Sequence, residues 1–118
     1  MSVESTIFDL LKTLVSNRVY PDVAPESVTR PYITYQQVGG ETVAYLENAV
    51  ADHKNGRFQI NVWGDLRSTV SALALQAEQA FIESTALQCR PIGAPVSTHE
   101  PETKLYGSRQ DFSVWSSR

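Results

Sequence analysis

Residues 56–65 read GRFQINVWGD, an alternating segment that runs directly into a long amphipathic stretch. Phe58, Ile60 and Val62 point to one side of a strand and the residues between them to the other. A second alternating segment, residues 111–115, lies near the C-terminus. A strand with one apolar face must bury that face against another layer, and the amphipathic stretch supplies a helix to cover it. The pattern therefore predicts strands and helices around one shared core.

The sequence predicts two amphipathic helices. The first begins after Ser2, a good N-cap, and ends at Asn17, which tolerates the left-handed conformation that closes a helix. The second follows Gly64, with Asp65 or Ser68 as its N-cap. The apolar faces consist of Val3, Ile7, Leu10, Leu11 and Leu14 in the first helix and of Leu66, Val70, Leu73, Ala74, Ala77 and Phe81 in the second. The residues expected to face outward on the second helix are Arg67, Ser71, Gln76, Glu78 and Glu83.

Further strands and loops follow from β-branched, aromatic, proline and glycine residues. The predicted strands are 18–20, 32–38, 41–46, 87–92 and a terminal region, 105–106 and 110–115, that forms one broken strand or two. The predicted loops are 21–31, 48–56 with an Asn55-Gly56 hairpin turn, and 93–103. This order predicts an α+β fold, a mainly antiparallel sheet with two helices packed on one face. At 118 residues, the chain is expected to form a single domain over 1–118.

Charge and hydropathy narrow the class of protein. Thirteen acidic side chains oppose ten basic ones, and the basic ones are scattered, so we expect no sequence-specific nucleic-acid binding. The first residues lack a basic segment followed by an apolar run, and no stretch approaches the roughly 20 apolar residues of a membrane span. The chain is therefore expected to be made and kept in the cytosol, or built into an assembly there, without contact to a membrane.

Residues that could carry chemistry are few and poorly placed for it. Cys89 is the single cysteine and reads as a small hydrophobic residue rather than a nucleophile. His53 and His99 fall in predicted loops, the latter beside Glu100 and Glu102, without the spacing of a zinc site. No nucleophile elbow and no phosphate-binding glycine loop occurs in the sequence. We therefore predict no catalytic residues, no metal, no cofactor and no enzymatic activity.

Two tryptophans stand out among the aromatic residues. Trp63 and Trp115 lie on the strand face opposite to the apolar residues of their strands. One interpretation is that they belong to the core or to an ordinary sheet face. The other is that they lie on a surface that faces another subunit, because tryptophan buries a large area at small entropic cost.

Several segments occur in a characteristic order: IFDLLKTLV followed by RVYP at 18–21, AP at 24–25 leading to PYITY at 31–35, RFQINVW at 57–63, a helix beginning near Asp65, and DFSVW at 111–115. In this order and spacing the chain resembles the tail completion, or head–tail joining, proteins of tailed bacteriophages and prophages. The resemblance implies a fold related to phage tail terminators and no catalysis. It also implies a ring, commonly a hexamer, at the head-proximal end of the tail.

The partners that the resemblance implies are further copies of the chain, the tail tube protein and the head–tail connector protein. The location that it implies is the host cytoplasm during assembly and then the virion tail.

Within that role, loops 48–56 and 21–30 are expected to face partners, with Lys54 and Arg57 as contact residues. The Trp63 side of the sheet is expected to pack against another subunit. The alternative is a stand-alone cytosolic α+β module that binds a small ligand or peptide in a pocket between sheet and helix. An enzyme using His53 or His99 is a third interpretation.

Overall fold

The computed structural model describes residues 2–42 and 53–117. Its elements in chain order are α1 (Val3–Leu11), continued by a 3₁₀ turn (Lys12–Leu14), β1 (Val19–Pro21), β2 (Tyr32–Gln37), β3 (His53–Gly64), α2 (Arg67–Ile82), β4 (Gln88–Glu100) and β5 (Leu105–Ser117). The strands form one sheet in the order β1-β2-β3-β5-β4, in which β1 and β2 run parallel and all other neighbours antiparallel. The predicted α+β class with a mainly antiparallel sheet is confirmed.

The first helix begins as the sequence predicts but ends earlier than predicted. Ser2 caps α1, since its Oγ accepts a hydrogen bond from the Ser5 N–H at 3.1 Å. The α-helix ends at Leu11 and the 3₁₀ turn at Leu14. Ser16 and Asn17 follow with φ values of 51° and 68°, so Asn17 does take the left-handed conformation, beyond the end of the turn. Ile7 and Leu11 are fully buried, which docks the helix on the core.

The core lies between the helices and one face of the sheet. The side chains of Phe58, Ile60 and Val62 in β3 are all at most 2% exposed, as the alternation predicts. In β5, Phe112 stacks on Phe81 of α2 with a ring centroid distance of 4.4 Å. This stacking joins the helix to an interior strand of the sheet, because β5 has β3 on one side and β4 on the other.

The strongest departure from the sequence prediction is the start of β3. Asn55 and Gly56 form no hairpin turn but lie inside the strand, opposite Trp115 and Val114. The Asn55 side chain donates to Ser113 Oγ at 2.9 Å and accepts from the backbone N–H of Glu41 at 2.9 Å. Pairing with β5 therefore overrides the local turn preference. The predicted strand 41–46 and loop 48–56 fall largely on 43–52, outside the described residues.

The predicted loop 93–103 is also wrong, because β4 continues to Glu100. Residues 93–95 form a bulge opposite Gln110, between the paired residues Ile92 and Val96. The Gln110 amide donates to the carbonyl oxygen of Gly93 at 3.0 Å and so holds the bulge to β5. Proline is tolerated here because β4 is an edge strand. β5 itself is one unbroken strand, whereas the sequence suggests one broken strand or two.

The second helix departs from its prediction at its first turn. Its N-cap residue is Leu66, without a side-chain cap. Asp65 instead pairs with Arg30 at 2.8 Å. Leu66 is 61% exposed and does not belong to the apolar face. The remaining predicted face is confirmed, with Val70, Leu73, Ala74, Ala77 and Phe81 all buried.

The sheet extends beyond the helices. Strands of 13 residues span about 43 Å, whereas the 16 residues of α2 span about 24 Å. The described chain is correspondingly elongated, with extents of 52 × 25 × 24 Å. Much of the sheet is therefore available for contacts with other molecules.

Candidate assembly site

The side of the sheet opposite to α1 and α2 is the first candidate surface, and we call it the open sheet face. It carries the odd-numbered residues of β3 and β5 and the even-numbered residues of β2, because their neighbours point into the core. The side chains on it include Tyr32, Thr34, Gln36, Arg57, Gln59, Asn61, Trp63, Arg109, Asp111 and Trp115. The sequence prediction that both tryptophans lie opposite to the apolar face is confirmed.

Trp63 lies flat across β5 because its neighbour there is a glycine. A Cβ atom at position 107 would lie 2.7 Å from Cζ3 and 2.9 Å from Cε3 of Trp63, and would press against Oγ1 of Thr98. Gly107 pairs with Trp63 on one side and with Thr98 on the other. The glycine therefore leaves the space in which the indole ring rests on the sheet.

A groove of about 460 Å³ occupies the Trp63 half of the open sheet face. Its floor is uncharged and consists of Tyr32, Thr34, Gln36, Gln59, Asn61 and Trp63. The chain segment Asp22, Val23 and Ala24 borders it, and Glu100 and Arg109 lie at its rim. An uncharged centre with a charged rim is the usual anatomy of a protein interface.

Trp115 belongs to a different part of the same face. It lies eight residues along β5 from Gly107, which corresponds to about 27 Å. At the edge of the sheet it lines a hollow of about 400 Å³ that extends to the helix side, where Ile82, Leu87 and Cys89 line it as well. The two tryptophans therefore cannot belong to one compact patch.

Lys54 and Arg57 lie on opposite faces of β3. Arg57 is on the open sheet face, where its Nε and Nη2 both lie 2.8 Å from Oδ2 of Asp111. Lys54 lines a small hollow on the helix side together with Val3. One partner surface could not contact both residues at once. The predicted contact of Lys54 and that of Arg57 are therefore two separate proposals.

The second candidate surface is the exposed side of α2, which we call the α2 stripe. It consists of Ser68, Ser71, Ala72, Leu75, Gln76, Gln79 and Ile82, all of them exposed. At 100° per residue these positions fall on one continuous side of the helix. The large apolar members are Leu75 at 57% and Ile82 at 54% exposure. The α2 stripe contains no charged residue.

The charged residues of α2 turn towards the sheet instead, which corrects the prediction that Arg67 and Glu78 face outward. The Arg67 guanidinium donates to the carbonyl oxygens of Gly107 at 2.8 Å and Thr98 at 2.7 Å. Glu78 accepts a hydrogen bond from Gln110 at 2.7 Å. These partners lie more than 30 residues away along the chain, so helix periodicity alone could not reveal them. The sequence signal that could have revealed the stripe is the near absence of charge in α2.

The residues considered for chemistry do not assemble into a site. His53 begins β3, and His99 lies in β4 with its ring 4.7 Å from that of Tyr106, so neither histidine is in the predicted loop. Among the described residues, no group of three potential metal ligands occurs. Burial raises the pKa of the Cys89 thiol to about 11, which keeps it protonated near neutral pH.

The space between α2 and the β3 and β5 strands is filled by side chains at its centre. The hollow bounded there by Ile60, Ala77 and Phe112 has a volume of about 10 Å³. Small-molecule pockets usually enclose about 300–1,000 Å³. A larger hollow, of about 280 Å³, opens between α2 and β4, where Leu75, Glu78 and Pro95 line it. None of the described helices is long and apolar enough to cross a membrane.

The family model for tail completion protein gp17 matches residues 9–117. The chain belongs to this family. The family membership confirms the resemblance seen in the sequence and makes the chain a structural protein of a phage tail. No curated protein matches the chain at a significant level.

Solved structures share the fold of this tail completion protein. A chain of the virion of a native gene transfer agent (GTA) particle superimposes with a TM-score of 0.67 at 18% identity, covering 99% of this chain and 96% of that one. A second solved structure, whose name states no function, gives a TM-score of 0.53 at 15% identity, covering 98% and 89%. At these identities the similarity is one of fold.

Proposed function

We propose that this chain, as one domain over 1–118, completes the head-proximal end of a phage tail and joins it to the head connector. The observation that carries the proposal is the family match over 9–117. The similarity of the whole fold to a chain of a gene transfer agent virion supports it. The role requires no catalysis and no cofactor, only surfaces that bind other proteins.

The working form of the protein in this proposal is a closed ring, commonly six copies. A ring uses a heterologous interface, in which one surface of a subunit meets a different surface of its neighbour. The α2 stripe, which carries no charge, and the groove of the open sheet face, whose floor is uncharged, provide two different surfaces on opposite sides of the sheet. Their presence supports a ring rather than a two-fold dimer.

The ring also contacts two partners along the tail axis, the tail tube protein and the head connector. We assign these axial contacts to segments between helices and strands, since loops on a rigid sheet commonly carry binding. The segment 21–30 is held by the 2.8 Å ion pair between Arg30 and Asp65 and by the Asp22 N–H, which donates to the Tyr35 carbonyl oxygen at 2.9 Å. An ordered segment suits a docking surface because little entropy is lost on binding. We propose that it faces one axial partner.

The other axial partner is assigned to the beginning of β3 and to residues 48–52, which lie outside the described residues. Lys54, on the helix side of β3, and Arg57, on the open sheet face, are proposed as contact residues of two separate surfaces, either of which meets the tail tube protein or the connector. Trp63 and Trp115 contact neighbouring subunits. The chain assembles in the host cytoplasm and ends in the virion at the head-proximal end of the tail.

The proposal is tested by imaging tails that contain this chain at a resolution that distinguishes subunits. We expect a single six-fold ring of this chain between the tail tube and the head connector. The chain would appear only at that level, because a terminator that also bound along the tube would not end it. Its absence from the particle, or its location at the distal tip, would contradict the proposal.

A further inference from the structure

The absence of charge on the α2 stripe requires a physical explanation. An exposed helix face normally carries charged residues, which keep the surface soluble and add pairs along the helix. From residue 67 to residue 82 the helix has two charged side chains, Arg67 and Glu78. Arg67 donates hydrogen bonds to backbone carbonyl oxygens of the sheet, and Glu78 accepts one from the side chain of Gln110. What remains outside is two serines, two glutamines, an alanine and two large apolar residues. Depletion of charge with retained apolar groups is characteristic of the centre of a protein interface.

The groove on the open sheet face has the matching composition. Its floor combines amide and hydroxyl groups with the rings of Tyr32 and Trp63, and no charged residue lies among them. Its extent along β3, from Gln59 to Trp63, is about 14 Å. Leu75 and Ile82 are two helical turns apart, which corresponds to about 10.5 Å. A helix that presents both residues therefore fits the length of the groove.

The edges of the sheet are poorly suited to joining copies by strand addition. β4, at one edge, contains Pro91, Pro95 and the bulge at residues 93–95. β1, at the other edge, has only three residues and ends at Pro21. Proline removes a ladder hydrogen bond, and short or bulged edges discourage pairing with another chain. Contacts between copies are therefore expected to use faces rather than edges.

The rims of the two surfaces offer one pair of opposite charges, although Asp22 and Glu100 add two carboxylates to the rim of the groove. Glu83, directly after the last residue of α2, is exposed, and so is Arg109 at the rim of the groove. Within residues 2–42 and 53–117, neither takes part in an ion pair. A negative group at the end of the stripe and a positive group beside the groove would meet when the two surfaces join.

We propose that the α2 stripe of one copy packs into the groove on the open sheet face of the next copy, with Glu83 beside Arg109. This inference rests on the proposed ring and specifies which surfaces close it. The two surfaces lie on opposite sides of one protomer, so each copy can accept a neighbour on one side and offer its helix on the other. Repetition of that contact generates a closed ring without a second type of interface.

Cross-linking in assembled tails tests the contact. The protein carries Cys89→Ser together with Leu75→Cys on the stripe and Gln59→Cys in the groove, and tails containing it are treated with a short bis-maleimide. We expect a ladder of covalent oligomers up to the ring size. Each single-cysteine variant should give monomers only, because identical positions do not meet in a heterologous contact. The matched control replaces Leu75→Cys by Thr13→Cys, an exposed position near the end of α1, and should give no ladder.

Each outcome of this experiment decides a different point. A ladder from the Thr13 control without one from the Leu75 variant would overturn the proposed contact while leaving the ring intact. Covalent dimers from a single-cysteine variant would overturn it in favour of a two-fold contact. If the chain is missing from tails, the proposed function fails and the contact fails with it.

A charge exchange provides an independent measurement. Glu83→Arg and Arg109→Glu are each expected to lower the amount of chain bound to tails about fivefold, the effect of about 1 kcal/mol at a rim ion pair. The double variant should restore binding, because it rebuilds the pair in reverse. Additive losses in the double variant would show that the two residues do not meet.

Discussion

Replacing Phe112 by alanine is expected to lower the free energy of unfolding by about 3–5 kcal/mol, the usual cost of truncating a buried phenylalanine. The side chain is 1% exposed and stacks on Phe81 at 4.4 Å. Its strand pairs there with Phe58 of β3 and Pro91 of β4, so the cavity would open at the centre of the sheet. The neighbouring strands cannot move in to close that cavity without breaking the backbone hydrogen bonds that join them. Urea unfolding followed by tryptophan fluorescence measures the loss.

The matched control for this change is Ile82→Ala, which removes a large apolar side chain that is 54% exposed. Its cost should stay within about 1 kcal/mol, because exposed positions lose little burial on truncation. Similar losses for both variants would contradict the core described here. The Ile82→Ala variant also tests assembly. Because Ile82 belongs to the α2 stripe, we expect the variant to remain stably folded but to bind less strongly to tails.

Replacing Gly107 by alanine is expected to lower the free energy of unfolding by about 1–3 kcal/mol, the usual range for overpacking. The added methyl group would meet the indole ring of Trp63 and Oγ1 of Thr98. Because Trp63 is half-buried on an open face, the ring can lift away from the sheet. In a Trp115→Phe background, we expect the fluorescence of Trp63 to shift to longer wavelength and to become more accessible to acrylamide.

A double variant separates the two contacts at Gly107. Thr98→Ala together with Gly107→Ala removes the collision with the hydroxyl group but retains the collision with the indole ring. The fluorescence change should therefore persist while part of the stability returns. An unchanged Trp63 spectrum in both variants would contradict the position of the ring across β5.

Strands with one buried face could be predicted from the sequence because their alternation is a local property. Phe58, Ile60 and Val62 identify β3, and Phe112 and Val114 identify β5, since each set repeats every second residue. The predicted fold class followed from these strands and two helical stripes. The beginning of β3 could not be predicted, because Asn55 and Gly56 favour a turn locally and only the pairing with β5 extends the strand.

The full length of β4 could not be predicted from the sequence, for a different reason. Its residues are mostly exposed on both faces, so neither alternation nor an apolar run marks it. Pro91 and Pro95 indicate a loop by themselves, and they are compatible with a strand because β4 lies at one edge of the sheet that the described strands form. Knowledge of the neighbouring strand was required to recognise it.

The candidate assembly site was predicted in part. The position of Trp63 and Trp115 on the strand face opposite to the core follows directly from strand alternation. The α2 stripe was not predicted, because Arg67 and Glu78 read as outward charges on a helical wheel. Both side chains point towards the sheet because they form hydrogen bonds with Gly107, Thr98 and Gln110. Only the folded chain brings these residues close to α2. Charged residues therefore mislead sequence interpretation when long-range hydrogen bonds decide where they point.

The most direct test of the proposed role is to assemble particles in the phage or prophage that encodes this chain, with its gene deleted, and to count joined virions by electron microscopy. The account predicts filled heads beside unjoined tails, some of them longer than normal, and joining that returns when the purified protein is added. Normal numbers of intact virions without the chain would contradict its role in completing and joining the tail.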